Sequence, residues 1–409
     1  MVMRKIKNTG DEIFPLGYGA MRLPSKNGSI DKEKAKEIIY YGIDNGINFI
    51  DTAYNYHSGE SEKLLGEILK GEYRDKVKIS TKLPVPIVKK REDMDKILEG
   101  QLKNLQSSID YYFLHGIDLS SFKKLVKLNV FDFLEESKKE GKIKHIGFSY
   151  HGSKDDFKEI VDSYSWDVTL VQYNYLDENI QASYDGIKYA SSKGIGIFVM
   201  EPLKGGILAG NMPKKAEEVF KNSKFNKSNV EWALSWLLNQ EEITCVLSGM
   251  NEFEQIKENI KLTKKIKVNS LSEEELKTID DVKSVMKSML KINCATCNYC
   301  MPCPNGVNIP ECFRLYNEKY LFNKKMGPIS QVSLDYTWLI GGAFAGDSAA
   351  AGLCNGCGKC VRKCPQDLDI PVELNKVSKE LEGFGFNQKI WLLKKIVFPF
   401  VNWISKRNH

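Results

Sequence analysis

Lys32-Glu-Lys-Ala-Lys-Glu-Ile-Ile-Tyr-Tyr-Gly-Ile-Asp-Asn45 runs through Gly46 into Ile47-Asn-Phe-Ile-Asp51. The first part is amphipathic with a helical repeat, and the second is a short apolar run ending on an acid, so the pair reads as a helix leading into a strand. The same alternation extends from about Gly10 to Val268. Strands are expected at Leu16–Gly19, Ile47–Asp51, Val77–Thr81, Tyr111–Leu114, Ile143–Phe148, Val168–Gln172, Ile195–Met200 and Thr244–Leu247. Amphipathic helices are expected at Lys32–Asn45, Ser61–Lys70, Glu92–Gln106, Phe122–Glu140, Asp155–Ser163, Ile180–Lys193, Ser228–Asn239 and Phe253–Thr263. Strand followed by helix, eight times over roughly 250 residues, is the pattern of an α/β fold closed into a (β/α)8 TIM barrel. A doubly wound open sheet is the competing reading, but no Gly-x-Gly-x-x-Gly turn follows the first strand.

Ser272–Leu290 reads as one more amphipathic helix, with Ser272 as N-cap and Glu275 completing a capping box. The expected organisation is therefore a barrel over residues 1–270, a connecting helix over 271–290, a small, mainly helical cysteine-rich domain over 291–371 and a helical tail over 372–409. The tail contains Ile390-Trp-Leu-Leu-Lys-Lys-Ile-Val-Phe-Pro-Phe-Val-Asn-Trp-Ile404 and reads as a packed helix broken near Pro399. An interfacial membrane helix is the alternative.

Composition narrows the function classes. With 42% hydrophobic and 27% charged residues in a chain of 409, disorder and fibrous repeats are excluded. The formal net charge of +6 is mild and demands no nucleic acid. No apolar run reaches the roughly 18 residues of a membrane span, and Met1–Gly10 lacks the apolar segment of a secretory signal. A soluble, cytoplasmic protein is expected, with no call for a membrane.

Nine of the ten cysteines lie between Cys294 and Cys364, and Cys245 stands alone. With no export signal, such clustering reads as metal ligation rather than disulfides. The motifs are Cys294-x2-Cys297-x2-Cys300-x2-Cys303-Pro304 and Cys354-x2-Cys357-x2-Cys360-x3-Cys364-Pro365. Two-residue gaps let a loop wrap a compact metal–sulfur core. Structural zinc also uses Cys-x2-Cys pairs, although it seldom strings three or four cysteines at that spacing. The module resembles the helical type of two-cluster [4Fe–4S] ferredoxin domain, in which the cysteine before proline ligates the other cluster. That resemblance implies one cluster on Cys294, Cys297, Cys300 and Cys364 and a second on Cys354, Cys357, Cys360 and Cys303. The last gap of the first motif is x2 where the usual pattern has x3. About fifty residues separate the motifs and read as helical, Ile309–Lys319 for example. Cys312 and Cys245 have no motif company and read as buried residues.

Chemistry in a (β/α)8 barrel sits where strands end. Those ends carry Asp51 with Tyr56 in the following loop, Lys82, and His115. Here the sequence resembles the aldo/keto reductase family, through Asp51-Thr-Ala-Tyr-Asn-Tyr56, Gly59-Glu-Ser-Glu62, Ser80-Thr-Lys82 and Tyr111-Tyr-Phe-Leu-His115. Ile146-Gly-Phe-Ser149, Val171-Gln172, Pro202-Leu-Lys-Gly-Gly206, Leu247-Ser-Gly-Met250 and Glu258-Asn259 continue the match. Gly17-Tyr-Gly-Ala-Met-Arg-Leu-Pro24 looks like the iron–sulfur-bearing branch of that family.

The resemblance implies a catalytic set of Asp51, Tyr56, Lys82 and His115. Hydride passing to a carbonyl carbon builds charge on its oxygen, and Tyr56 would supply the proton. An unperturbed phenol titrates near pH ~10; the Lys82 ammonium, oriented by Asp51, is expected to lower that value. His115, in its neutral form, would orient the carbonyl oxygen. For NADPH or NADH, the resemblance implies Ser149 and Gln172 at the nicotinamide carboxamide, Pro202, Leu203 and Gly205 along the cofactor, and Ser248, Gly249, Glu258 and Asn259 around the adenosine end. Tyr150 stands where the family often has Asn, and Gln255 where an arginine commonly grips the 2′-phosphate, so the nicotinamide stays open.

The expected function is an oxidoreductase moving hydride between nicotinamide and a small carbonyl or alcohol substrate, coupled to or structurally supported by two [4Fe–4S] clusters. A hydride carries two electrons and a cluster moves one at a time, so electronic coupling would need a flavin or an electron-transfer protein. A redox-sensing or electron-carrier protein, binding nicotinamide in a largely non-catalytic barrel, is the second reading.

Overall fold

Apolar runs that alternate with helices along the chain come together in space as one closed parallel barrel. A computed structural model describes residues 3–392 apart from 153, 155, 180, 211, 295–298, 322–324, 327–328, 331, 334–335, 342–347 and 384. The described chain divides into two units, residues 1–211 with 223–279, and 212–222 with 280–409.

The first unit is built on eight strands: β1 (Leu16–Gly19), β2 (Phe49–Asp51), β3 (Lys78–Leu83), β4 (Ile109–Ile117), β5 (Ile143–Tyr150), β6 (Val168–Gln172), β7 (Gly196–Met200) and β8 (Ile243–Ser248). They are hydrogen-bonded in sequence order, and β8 closes on β1 with Ser248 opposite Tyr18. Each is followed by a helix: α1 (Lys32–Asp44), α2 (Glu60–Ile68), α3 (Arg91–Leu105), α4 (Val130–Lys139), α5 (Phe157–Asp162), α6 (Ser183–Ser192), α7 (Asn229–Leu238) and α8 (Phe253–Thr263). Phe49, Tyr111, Phe113, Leu170, Phe198 and Cys245 fill the barrel, as the alternation of side chains along a strand requires. A short hairpin pairing Arg4–Lys5 with Glu12–Ile13 contributes Ile6 and Ile13 to the same core.

Two expectations need correction. The stretch Phe122–Glu140 is two helices, Leu119–Lys127 and Val130–Lys139, because Asn129 turns left-handed at φ 56° and breaks the run. Asn is among the few residues that tolerate this conformation. The segment between the cysteine motifs is not helical throughout: after Ile309–Leu321 a hairpin pairs Lys325–Met326 with Ile329–Ser330.

In the second unit, Ile309–Leu321 and Ile370–Leu381 pack through Phe313, Tyr316, Leu374 and Val377. The helix Glu273–Met289 opens on the capping box expected at Ser272, whose N–H donates to Glu275 at 2.8 Å while its hydroxyl accepts from the Glu275 N–H at 3.3 Å. Cys297 and residues 393–409, which include Pro399, lie outside the described residues. Among those described, no helix is long and apolar enough to cross a membrane.

Helix α2 lies against α3 through Gly66. A Cβ there would stand 2.1 Å from the Asn104 carbonyl oxygen and 2.8 Å from the Leu105 carbonyl carbon, both backbone atoms that cannot swing aside. Helix propensity alone favours alanine over glycine by about 1 kcal/mol, but overpacking typically costs about 1–3 kcal/mol and more against rigid backbone. Gly66→Ala is therefore expected to lower stability by about 2 kcal/mol, read as a fall in urea midpoint; a raised midpoint would show that the two helices separate freely.

Candidate active site

The strand register builds the centre. Gly19 pairs with Asp51, and Asp51 with Ser80, so the last residues of β1 and β2 lie in one row with Ser80 while β3 runs on to Leu83. Ser80 and Lys82 are two residues apart and point to the same face, while Thr81 points to the other. Lys82 Nζ lies 2.7 and 2.6 Å from the two Asp51 carboxylate oxygens and 2.7 Å from the Thr52 carbonyl oxygen. Ser80 Oγ donates to Asp51 Oδ1 at 2.7 Å. Lys82 is 1% exposed and Asp51 4%, so this ion pair sits out of water.

A second layer holds the strand from outside. The Thr81 hydroxyl donates to buried Glu62 at 2.6 Å, and Gln101 Nε2 donates to Glu62 at 2.8 Å and to the Lys82 carbonyl at 3.0 Å. Tyr112 then donates to Gln101 Oε1 at 2.8 Å. Sequence reasoning missed Gln101. Its signal was a polar residue in the buried stripe Met94, Leu98, Gln101, Leu105 of α3.

Tyr56 hangs over this pair. Its hydroxyl is 3.4 Å from Lys82 Nζ, and its ring meets the His115 ring edge-on with centroids 6.2 Å apart. His57, Ser58 and Gly59 are all left-handed, at φ 49°, 56° and 92°, which turns the chain sharply back into α2. Non-glycine residues occupy that region only when the surroundings enforce it. Here the enforcement includes the Leu23 N–H, which donates to His57 Nε2 at 3.1 Å.

The expected lowering of the phenol's pKa does not hold. Burial pushes the Tyr56 hydroxyl up, Lys82 pulls it down, and Asp51 pushes it up again, with a net rise. The physical reason is burial first: the hydration a phenolate would lose outweighs the attraction of Lys82, which Asp51 beside it partly offsets. Burial works against the Lys82 ammonium, yet Asp51 and Tyr56 more than offset it and the group is held charged. His115 is driven down to about 3 by burial, then by Lys82 and His151, so its imidazole is neutral at any ordinary pH. The four residues thus form one group: a charged ammonium, its carboxylate, a protonated phenol and a neutral imidazole.

Ser149 and Gln172 stand at the ends of the neighbouring strands β5 and β6, both buried. Ser149 Oγ accepts from the Gly116 N–H at 2.6 Å, where the β4–β5 register shifts. Gln172 donates to Asp177 at 3.2 Å and accepts from Gln181 at 3.0 Å. An amide has two N–H groups and two lone pairs, so Gln172 keeps one of each for a carboxamide, whereas the Ser149 hydroxyl donates to the Leu114 carbonyl oxygen at 3.4 Å and keeps one lone pair. Pro202, Leu203 and Gly205 form the turn after β7, whose Lys204 is clamped by Asp177 at 2.6 and 2.7 Å. Ser248 is buried at the end of β8, and the adjoining Gly249 lies against Arg22. On α8, Asn259 is buried and Glu258 exposed. Gln255 carries no charge for a phosphate, and its Oε1 accepts the Asn251 and Glu252 N–H groups at 3.0 and 3.3 Å and caps the helix.

In the second unit, Cys294, Cys300 and Cys364 line one cavity walled by Ile309, Phe313 and Ile370. The Cys360 thiol is held up by burial and then by the sulfurs of Cys354, Cys303 and Cys357. The two motifs therefore cross: Cys364 stands with the first set and Cys303 with the second. Thiols converging beneath apolar walls suit an iron–sulfur cluster. Among the described residues, no three His, Cys, Asp or Glu side chains are gathered as a single metal ion would need. Cys312 is buried on Ile309–Leu321, its thiol pushed up to about 12 mainly by burial, and Cys245 is buried inside the barrel.

Comparison with known proteins agrees with this geometry. Residues 15–284 match the aldo/keto reductase family, and residues 293–368 match a 4Fe-4S dicluster domain. The L-galactose dehydrogenase of Arabidopsis thaliana is 27% identical over 319 residues, covering 70% of this chain and 96% of that protein. The NADH-specific methylglyoxal reductase of Escherichia coli K12 is 27% identical over 310 residues, covering 63% and 93%. An aldo-keto reductase from Bacillus halodurans, solved in its holo form, shares the fold at a TM-score of 0.59 and 23% identity, covering 69% of this chain and 96% of that one. One from Klebsiella pneumoniae in complex with NADPH does so at 0.57 and 21%, covering 69% and 96%. The chain belongs to the aldo/keto reductase family, and its barrel is followed by a 4Fe-4S dicluster domain.

Proposed function

We propose that the chain is an NAD(P)-dependent oxidoreductase that reduces a small carbonyl compound or oxidises the corresponding alcohol. The observation that carries this reading is the buried Lys82 ammonium, pinned by Asp51 and turned toward the Tyr56 hydroxyl beside a neutral His115. A bound nicotinamide supplies hydride. Tyr56 gives its proton to the carbonyl oxygen, and Lys82 stabilises the phenolate left behind. His115 donates a hydrogen bond that orients that oxygen and loses nothing to protonation at neutral pH. Ser149 and Gln172 hold the carboxamide, with Ser248, Gly249 and Asn259 farther along the cofactor. A mere nicotinamide-binding sensor would need no proton donor, which favours the enzyme. The methylglyoxal reductase relative carries a small dicarbonyl and NADH in its name, and the Klebsiella structure holds NADPH; the same classes are the first to try here.

We further propose two [4Fe–4S] clusters, one on Cys294, Cys297, Cys300 and Cys364 and the other on Cys354, Cys357, Cys360 and Cys303, supplying one-electron chemistry when bound.

Removing the Tyr56 hydroxyl tests the central role. Tyr56→Phe should lower kcat for carbonyl reduction about a hundredfold or more while leaving nicotinamide Kd within about twofold, the usual scale for a lost general acid. An unchanged kcat would sink the assignment. A phenol held above its ordinary value is an acid ready to donate, so reduction should run at constant kcat from about pH 5 to 9. Alcohol oxidation, which needs the phenolate, should climb through the same range. A reduction rate falling between about pH 6 and 8 would instead point to a titrating imidazole. For the clusters, anaerobic reconstitution should yield about eight irons and eight sulfides per chain. Cys303→Ser and Cys364→Ser should each lose about half of them; colourless protein containing zinc would refute the assignment.

A further inference from the structure

Three loops meet where β7, β8 and β1 stand side by side at the barrel rim. The loop after β1 makes one short turn, Ala20–Arg22, and the loop after β7 turns through Gly205 and Gly206 at φ 66° and 98°. The loop after β8 begins at Gly249. Arg22 spans all three. Its Nη1 donates to the Gly205 carbonyl oxygen at 3.3 Å, and a Cβ on Gly249 would stand 3.1 Å from Arg22 Cβ and 3.4 Å from its Cγ and Cδ. The apolar stem lies on one glycine and the guanidinium over another.

Charge is what sets Arg22 apart. Lys204, on the same rim, is matched by Asp177, and Lys257 on α8 faces Glu254 at 3.7 Å. Arg22 is exposed and has no carboxylate within ion-pair distance among the described residues. The nearby acid, Glu201, accepts the Gly205 N–H at 2.6 Å instead. A guanidinium fork with unmatched charge, set over backbone that carries no side chains, suits a phosphate group that must come close. Its place along the rim says which phosphate. The residue after it, Leu23, is tied through His57 to the turn that carries Tyr56. Arg22 thus stands close to the reacting end, whereas Gln255, at the far α8 position, is occupied by capping.

We infer that Arg22 binds the pyrophosphate bridge of the nicotinamide dinucleotide, supplying there the charge that Gln255 cannot supply at the adenosine end. The inference rests on the function proposed above. Because both nucleotides carry the pyrophosphate, Arg22 serves NADH and NADPH alike and does not choose between them.

The test measures Kd for NADH and NADPH by quenching of protein fluorescence, using the full-length, cluster-loaded protein and its Arg22→Ala and Arg22→Lys variants. Arg22→Ala should weaken both nucleotides by about tenfold to a hundredfold, equally within about threefold, as for a lost charge-assisted bond. Arg22→Lys, which keeps charge and stem but not the fork, should fall between. The salt dependence of Kd should become shallower in Arg22→Ala. Weakening of NADPH alone would assign Arg22 to the 2′-phosphate and overturn the inference. Unchanged affinity for both, with the wild type binding normally, would overturn it while leaving the proposed function standing. Failure of the wild type to bind either nucleotide would overturn both.

Discussion

An ammonium group with 1% of its surface exposed stays charged only if protein replaces the water it has lost. In this barrel the replacement is complete: two oxygens of Asp51 and the carbonyl of Thr52 surround Lys82 Nζ at hydrogen-bonding distance. The arrangement demands that Asp51 at the end of β2 pair with Ser80 of β3, that Ser80 and Lys82 share one face, and that the barrel close so that the pair stays dry. It also sets the chemistry above it. Burial is the strongest influence on the Tyr56 phenol and outweighs the pull of Lys82, which Asp51 partly offsets, so the group is an acid in waiting rather than a phenolate. His115 completes the logic from the other side, kept neutral by the same dry, positively charged surroundings.

Rigidity around that pair comes from residues that touch no reacting atom. Glu62 is fully buried and accepts from Thr81, Gln101 and Asn104, and Gln101 also holds the Lys82 carbonyl. Buried polar networks of this kind specify one geometry when every member is satisfied. The left-handed turn of His57, Ser58 and Gly59 is the other constraint, since it aims Tyr56 inward at the expense of local backbone comfort.

The cysteines illustrate how burial divides one residue type between roles. Cys245 and Cys312 are wholly enclosed, their thiols pushed up by desolvation, and they pack as small apolar groups. The described motif cysteines are partly buried or exposed and lie in two sets that interleave the two motifs. That interleaving requires Cys303 and Cys364, sixty-one residues apart in sequence, to exchange neighbourhoods. It does so despite the two-residue gap before Cys303.

Much of this was legible in the residues. Leu16–Gly19 and Val168–Gln172 are strands at the bounds their apolar runs suggest, because strands buried on both faces are continuous hydrophobic stretches. Phe253–Thr263 and the Ser272–Glu275 box follow from local chemistry as well. The break at Asn129 was hidden, since a single left-handed residue leaves the helical repeat intact. Gln101 was hidden because its partners come from β3 and α2. By itself, the order of residues determined the alternation of strands and helices, the two clustered cysteine motifs, and the acid, lysine and histidine at three successive strand ends with the tyrosine in the loop after the first. Only the closed barrel decided which charges lie together, how deeply the phenol is buried, and that Arg22 has no carboxylate within ion-pair distance among the described residues. Electrostatic balance depends on distances and dryness between residues far apart in the chain, and neither quantity is written in local sequence.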